Sequence, residues 1–334
     1  VRKKVRCAVI GVGRLGMIHA ANLVYHIPNA EVATIVASRM ESAEKAARKL
    51  GIDKFTNNLR EVLEDDAIEA VIIVTPTNTH AEIIIQAAKH KKHIFVDKPI
   101  TETSEEADSV IEELKKYQII CQVGFMRRFD PSYLEAKKRI AQGDIGEPLH
   151  FKGVSRDPGS PPEAYIKTSG GIFLDLCIHD FDIVRFLLGS EVKSIQSFGK
   201  VLVHPFMKKY DDADQALSYL EFESGVTADI EGSRNSTFGY DIRGEVLGTE
   251  GMIQIGSLQQ HNNIIFTKNK SYYDTIPDFP TYFKDAFLIE MEHFIECIQT
   301  NTQPSVNAMD GKMALQISEA ATKSYKTNKK IYVR

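Results

Sequence analysis

Val5-Arg6-Cys7-Ala8-Val9-Ile10-Gly11-Val12-Gly13-Arg14-Leu15-Gly16 is the stretch that decides the fold. A short run of β-formers passes directly into G-x-G-x-x-G, and a helical apolar pattern over residues 15–25 follows it. Glycines in that spacing permit a tight turn, and they let a pyrophosphate come close to backbone N–H groups at a helix N-terminus. Glycine-rich turns are common, and the same letters could serve as a structural turn alone. The strand–turn–helix setting makes Gly11, Gly13, Arg14, Leu15 and Gly16 candidates for holding a dinucleotide.

Working outward, strand signals recur at residues 5–10, 32–37, 70–74, 93–96 and 119–123. Helical patterns separate them at 15–25, 42–50, 59–63, 81–90 and 104–117, with Thr103 or Ser104 ahead of Glu105 and Glu106 as a capped start. Such alternation predicts a doubly wound parallel sheet covered on both faces, an α/β Rossmann domain over 1–124. After Gly124 the texture changes. A helix at 131–141 ends at Gly143, a strand lies near 149–154, and a DPGSPP loop spans 157–162. Successive β-runs at 192–203, 216–222, 226–232, 241–247, 252–255 and 264–267 predict a large open, mostly antiparallel sheet. Two closing helices near 283–299 and 311–325, the latter capped by Asp310, complete an α+β domain over 125–334. That domain is expected to bind substrate and to mediate oligomerisation. A sheet face that its own helices leave bare would be covered by another copy, giving a dimer or a tetramer.

The totals narrow the partners. The chain has 334 residues, long enough for two domains, with 41 Lys and Arg against 45 Asp and Glu, a net charge of −4. No basic stripe alternates with aromatics, so nucleic acid is not expected. The apolar runs are too short to cross a bilayer, and Val-Arg-Lys-Lys leading straight into a strand does not read as a secretory signal. Cys7, Cys121, Cys177 and Cys297 are isolated and lack metal-site spacing, which suits reduced, buried thiols in a cytoplasmic protein.

The second strand departs from the dinucleotide fingerprint. An acid is expected about 20 residues after the glycines to bond the ribose hydroxyls, but here the strand ends Ala37-Ser38-Arg39. A hydroxyl followed by a guanidinium would hold a 2′-phosphate that a carboxylate would repel, so the reading favours NADP over NAD. Arg39 could instead stack on adenine or stay solvated. Open α/β sheets bind ligands at the carboxyl ends of their strands. Two segments fall there: Thr75-Pro76-Thr77-Asn78-Thr79-His80 and Asp97-Lys98-Pro99. Thr75, Pro76, Asn78, His80, Asp97 and Lys98 are therefore candidates on the cofactor side, His80 towards its nicotinamide half. Pro99 biases Lys98 towards extended angles, and a lysine fixed there can stabilise an alkoxide as it forms.

Residues 170–182, GGIFLDLCIHDFD, carry the other unusual chemistry. Read as one helix, Asp175, His179 and Asp182 fall at i, i+4 and i+7, a polar stripe on a helix otherwise apolar. Buried carboxylates and imidazoles are costly unless paired or used. Asp175 and His179 could bind a metal as an i, i+4 pair, but no further ligands stand at suitable spacing, so no metal is expected.

The Gly11–Gly16 turn, Asp97-Lys98-Pro99, and Gly170-Gly171-x3-Asp175-x3-His179-x2-Asp182 occur in the order and spacing of a known family. Together they resemble the glucose–fructose oxidoreductase / inositol dehydrogenase / MocA-type oxidoreductases over essentially the whole chain. Gly124-Phe125-Met126-Arg127-Arg128-Phe129-Asp130, Ser155-Arg156-Asp157-Pro158 and Gly239-Tyr240-Asp241 are similar to the bacterial inositol 2-dehydrogenases. The resemblance implies an NAD(P)-dependent dehydrogenase oxidising a secondary alcohol of a cyclic polyol, myo-inositol or scyllo-inositol first. It implies joint action of Lys98, Asp175 and His179 at the substrate, and substrate contacts from Met126, Arg127, Asp157, Asp182 and Tyr240. Histidine titrates nearest neutrality, so His179 is assigned as general base, Asp175 as its orienter or a hydroxyl acceptor, and Lys98 as alkoxide stabiliser. Three positions depart from the family pattern. Asp97 replaces the usual glutamate, Phe287 stands where a tyrosine is frequent, and Leu176 stands where a threonine is common. An aldose dehydrogenase, or a non-catalytic NADP-binding regulator, is the alternative on the same fold; the presence of both Lys98 and His179 favours catalysis.

Overall fold

The computed structural model describes residues 3–333, so residues 1 and 2 of the Val-Arg-Lys-Lys start lie outside it. Two compact units divide the chain: the N-terminal part up to Phe129 together with Asp285–Met313, and Asp130–Lys284 together with Ala314 onward.

In the first unit the elements run β1 (Val5–Ile10), α1 (Arg14–Tyr25), β2 (Ala30–Val36), α2 (Met40–Leu50), β3 (Lys54–Thr56), α3 (Leu59–Leu63), β4 (Ala70–Ile73), α4 (His80–Lys89), β5 (His93–Asp97), α5 (Ser104–Leu114) and β6 (Cys121–Gly124). The sheet order is β3-β2-β1-β4-β5-β6, and every ladder is parallel. All of β4 is buried, as a strand covered on both faces requires, which is why it reads as an unbroken apolar run. The three residues of β3 were too few and too polar to signal a strand; pairing with Thr34–Val36 of β2 makes them one. Thr103 caps α5 by accepting the Glu106 N–H, while Glu106 reaches back to the Glu102 N–H. The core joins Val5, Cys7, Val9, Leu23, Ile35, Ile72 and Phe95 to Met291, Phe294 and Ile295 of the helix Lys284–Thr300.

The second unit is built on β7 (Pro148–Arg156), β8 (Val192–Lys200), β9 (Gln215–Phe222), β10 (Thr227–Ser233), β11 (Asp241–Gly248) and β12 (Met252–Ile255). They lie in the order β12-β11-β7-β10-β9-β8, with Ile331–Tyr332 beside β8. Only β7 and β10 run parallel; every other ladder of that sheet is antiparallel. Strand β9 alternates strictly, with Ala216, Ser218, Leu220 and Phe222 inward and Leu217 and Tyr219 on the open face. The core under the inner face takes Phe181, Val184 and Leu187 from the helix Ile178–Leu188 and Ile317 and Ala321 from the last helix. That last helix, Ala308–Thr327, begins one turn earlier than its periodicity suggested, and Asp310 is not its cap. Asn307 accepts the N–H groups of Met309 and Asp310, and Asp310 answers by accepting the Asn307 N–H: a reciprocal capping box.

Candidate functional site

In the first unit the chain order of the strands reverses between β1 and β4, where doubly wound sheets bind ligands. A groove of about 1030 Å³ opens there, lined by Gly11, Gly13, Arg14, Leu15, Ser38, Arg39, Thr75 and Pro76 among others. Gly11 has φ +101°, and a Cβ on it would lie 2.2 Å from the Val74 carbonyl oxygen; one on Gly16 would lie 2.1 Å from the Gly11 oxygen. Those two glycines make the turn fit between β1, β4 and α1. Gly13 is different, because a Cβ there would meet nothing within 4 Å. Gly13 stands at the N-cap of α1 with no side-chain cap and no acid in the first turn, so the first N–H groups and the positive end of the helix face the groove. Uncapped N–H groups, a bare backbone and an absence of carboxylates among the lining residues fit a pyrophosphate.

Gly16, Asn78, His80, Asp97 and Lys98 do not line that groove. Gly16 packs beneath the turn and Asn78 is exposed. His80 is 1% exposed, with Nδ1 2.8 Å from the Pro99 carbonyl oxygen and Nε2 2.9 Å from that of Thr75. The ring therefore stitches the turn after β4 to the turn after β5. Asp97 ends β5, and its Oδ1 accepts the Lys98 N–H at 2.8 Å; the Lys98–Pro99 peptide is cis. Met126 and Arg127 are buried in the short turn Met126–Phe129. Two polar side chains lie in the apolar core of this unit, and the sequence did not reveal them. His19 sits between the rings of Phe95 and Phe287, at 5.1 and 5.7 Å, and burial pushes its pKa down to about 3. Glu290 is buried on the helix Lys284–Thr300, where burial first and the Asp97 carboxylate second push its pKa well above the ordinary range. Its backbone oxygen accepts from Gln122 Nε2.

In the second unit the single helix read over residues 170–182 is two: Ile172–Asp175 and Ile178–Leu188, joined through Leu176 and Cys177. The break is closely packed. The Cys177 Sγ and the Ile172 side chain press onto β10 where Gly232 has no side chain; a Cβ there would sit 2.6 Å from the sulfur. Asp175 thus closes one short turn, while His179 (8% exposed) and Asp182 lie buried in the first turns of the next helix. Asp180, which the pattern did not single out, is buried too and accepts from Ser155 Oγ at 2.6 Å.

Asp175 is held by residues far from it in sequence. Its Oδ1 accepts from the Tyr165 hydroxyl at 2.8 Å, and its Oδ2 accepts from Arg234 Nη2 at 3.0 Å. Arg234 is fully buried (0% exposed). Burial opposes its charge, but the carboxylates of Asp175, Asp212 and Asp157 outweigh that and hold its pKa above the ordinary value. Asp212 Oδ1 accepts the N–H groups of Ile172 and Ala213, tying down the start of the Asp175 turn; burial still pushes the Asp212 pKa up. Asp157 is half-buried at the end of β7, its N–H bonded to the Ser233 oxygen. Tyr240 is buried against the rings of Tyr282 and Phe283, at 5.9 and 6.2 Å. Of these, Arg234, Tyr165 and Asp212 escaped the sequence reading, since no local spacing links them to Asp175. All four cysteines are free and buried. Among the described residues no group of three or more His, Cys, Asp or Glu is arranged to hold a metal, and no helix is long and apolar enough to cross a membrane.

A parallel sheet ordered β3-β2-β1-β4-β5-β6, with a glycine-lined groove fit for a pyrophosphate at its switch point, defines a dinucleotide-binding domain, and the family models make its class that of the NAD-binding oxidoreductases. Family models extend that class along the chain, one described as "Oxidoreductase family, NAD-binding Rossmann fold" over residues 5–125 and one as "Oxidoreductase family, C-terminal alpha/beta domain" over 137–333. The chain belongs to the Gfo/Idh/MocA oxidoreductase family. It is 50% identical to the scyllo-inositol 2-dehydrogenase (NAD(+)) of Bacillus subtilis over 97% of this chain and 94% of that one. It is 38% identical to the myo-inositol 2-dehydrogenase of Thermotoga maritima, covering 98% of each. A crystal structure of scyllo-inositol dehydrogenase from Lactobacillus casei, with NAD(H) and scyllo-inositol bound, superposes with a TM-score of 0.94 at 28% identity over 99% of both chains. The names of the Bacillus subtilis and Lactobacillus casei proteins carry NAD, and they lend no support to a preference for NADP.

Proposed function

We propose that this enzyme oxidises a secondary alcohol of a cyclic polyol to the ketone, with myo-inositol and scyllo-inositol as its first candidates. The observation that carries the reading is the 50% identity, over nearly the whole chain, to a scyllo-inositol 2-dehydrogenase that shares its family. The chemistry of the second unit agrees with it. A cyclitol offers only hydroxyl groups, and the buried or half-buried Asp157, Asp175, Asp182 and His179 are acceptors for them. Bound nicotinamide would supply the acceptor for the hydride that leaves the carbinol carbon. His179 takes the proton that leaves the hydroxyl oxygen, Asp175 orients it or accepts a neighbouring hydroxyl, and Lys98 stabilises the alkoxide. Met126, Arg127, Asp157, Asp182 and Tyr240 are assigned to substrate binding. Residues 1–124 are assigned to the dinucleotide, and 125–334 to substrate and to assembly.

Gly11, Gly13, Arg14, Leu15, Gly16, Thr75 and Pro76 are assigned to the cofactor. Asn78, His80, Asp97 and Lys98 stand with them at the nicotinamide end, His80 by bracing the turns rather than by contact. The adenosine end is formed by Ser38, Arg39, Ser42, Lys45 and Lys49, without a carboxylate. Such a wall attracts a 2′-phosphate by charge, so NADP is accepted alongside NAD. Competing titrations of both dinucleotides test this: a hundredfold preference for NAD would remove the electrostatic reading of Arg39.

Assembly into a dimer or tetramer is read from Phe198, Leu217 and Tyr219, neighbours on the open face of β8 and β9 that are each nearly half exposed. Light scattering would return a monomer if that face needs no cover. The substrate reading is tested by following reduced nicotinamide with myo-inositol, scyllo-inositol, glucose and xylose. Turnover of a cyclitol supports it; turnover of the aldoses alone moves the substrate to a sugar oxidised at its anomeric carbon. No turnover with any of them leaves a dinucleotide-binding regulator.

A further inference from the structure

We propose that Tyr165 and Arg234 are positioning residues that clamp Asp175 by its two carboxylate oxygens, fixing it as an acceptor and leaving proton removal to His179. The inference rests on the reading that Asp175 works at the substrate. Each oxygen has its own donor, the Tyr165 hydroxyl on Oδ1 and Arg234 Nη2 on Oδ2. A carboxylate that accepts hydrogen bonds on both oxygens is stabilised in its charged form and is a poor proton acceptor. Its plane is also fixed, so its remaining lone pairs point in set directions.

Arg234 is a costly residue to keep here. A wholly buried guanidinium is destabilising unless it is paired, and its Nε and Nη1 have no hydrogen-bond partner among the described residues. Among the described residues its side-chain hydrogen bond goes to Asp175. A residue kept only for packing would not need a charge, and apolar side chains of similar volume would fill the space at lower cost.

Tyr165 comes from the opposite direction. It belongs to the short turn Glu163–Ile166 beyond the DPGSPP loop, and it is 48% exposed although its hydroxyl reaches Asp175. Glu163, on the same turn, is held by Lys209 Nζ at 3.1 Å and the Tyr210 hydroxyl at 3.0 Å. The turn is thus pinned at two points, which gives the tyrosine a fixed reach. A buried cation and a surface phenol meeting on one carboxylate is an arrangement that orients.

A double-mutant cycle tests this. Tyr165→Phe, Asp175→Asn, the Tyr165→Phe/Asp175→Asn pair and Arg234→Lys are compared for kcat and KM with the turned-over cyclitol. NADH affinity is read from NADH fluorescence. Tyr165→Phe, a change at a half-exposed site that spares the fold, should lower kcat/KM about tenfold in the native background and less than about twofold beside Asp175→Asn, with NADH affinity unchanged. Arg234→Lys should give a larger loss, with a melting temperature measured alongside; if it does not fold, the tyrosine cycle decides alone. Equal losses from Tyr165→Phe in both backgrounds, or none in either, would overturn the inference. Near-normal activity of Asp175→Asn would instead overturn the assignment of Asp175 to the substrate.

Discussion

The glycine turn after β1 and the Asp175–His179 segment both lead into a helix, but they are made of opposite materials. The turn acts through backbone: N–H groups, a bare Gly13, and two glycines whose missing side chains leave room for neighbouring carbonyls. All of its parts lie within residues 11–16. The second segment acts through side chains, and those are held by residues distant in sequence: Arg234 is 59 positions from Asp175, and Ser155 is 25 from Asp180. Backbone sites can be specified locally; side-chain sites buried in a core need partners that only folding supplies.

The largest expected effects break the comparison at its chemical end. His179→Ala and Lys98→Met should each reduce kcat by roughly 10²–10⁴-fold with NADH affinity changed by less than about threefold. Steady-state kinetics with NADH titration checks this, and parallel losses of turnover and affinity would assign either residue to structure. His80 comes next, because it joins the two turns of the cofactor side. Asparagine can keep the nitrogen that faces Pro99, and glutamine the one that faces Thr75. His80→Asn should therefore spare kcat and weaken NADH binding, and His80→Gln should do the reverse, by about tenfold in each case.

At the backbone end, Gly16→Ala and Gly13→Ala form a matched pair. The first drives a methyl into the Gly11 carbonyl and should cost about 1–3 kcal/mol of stability. The second meets open space, so it should leave the melting temperature near native and lower dinucleotide affinity. Thermal unfolding with and without NADH separates the two. Glu290 supplies a pH-dependent contrast. Its folded pKa is raised, so the folded protein holds a proton that the unfolded chain releases above its ordinary value near 4.5. Native stability from this group is complete below that value and falls as pH rises towards the folded pKa, by up to about 1.4 kcal/mol per pH unit. Glutamine does not titrate, so the melting-temperature advantage of Glu290→Gln should grow from pH 5 to pH 8. A constant difference would mean that Glu290 is charged in the folded protein.

The legibility of the fold follows the same division. Residues 59–63 and 131–141 matched their helices closely because cap and period are local signals: Asn58 and Asp130 cap the first N–H groups, and Gly143 ends the second in the left-handed region. Strand β3 did not register, since three residues carry no period and its identity depends on β2. The stripe Asp175–His179–Asp182 was legible as chemistry and misread as geometry: the helix breaks at Leu176–Cys177, where Cys177 packs against Gly232 on another element. For the cofactor side, the groove collects Gly11, Gly13, Arg14 and Leu15 of the glycine turn, whereas His80 is turned inward with a carbonyl at each ring nitrogen. His19 and Glu290 gave no signal, because a histidine or a glutamate in an apolar helix looks the same whether it faces solvent or a core.

The first unit is completed by a segment that arrives late. Phe95, Ile35 and Leu23 are buried together with Met291, Phe294 and Ile295, yet the intervening chain, Asp130–Lys284, belongs to the other unit. On a ribosome, the six-stranded sheet would emerge well before the helix that seals one of its faces. During that interval Phe95 of β5 keeps His19 beside it but lacks the Phe294 ring, and the nascent protein is exposed to misassociation. A release at residue 284 would leave the glycine turn intact and the sheet beneath it open. The dinucleotide half of the enzyme is therefore the first to be written and among the last to be finished.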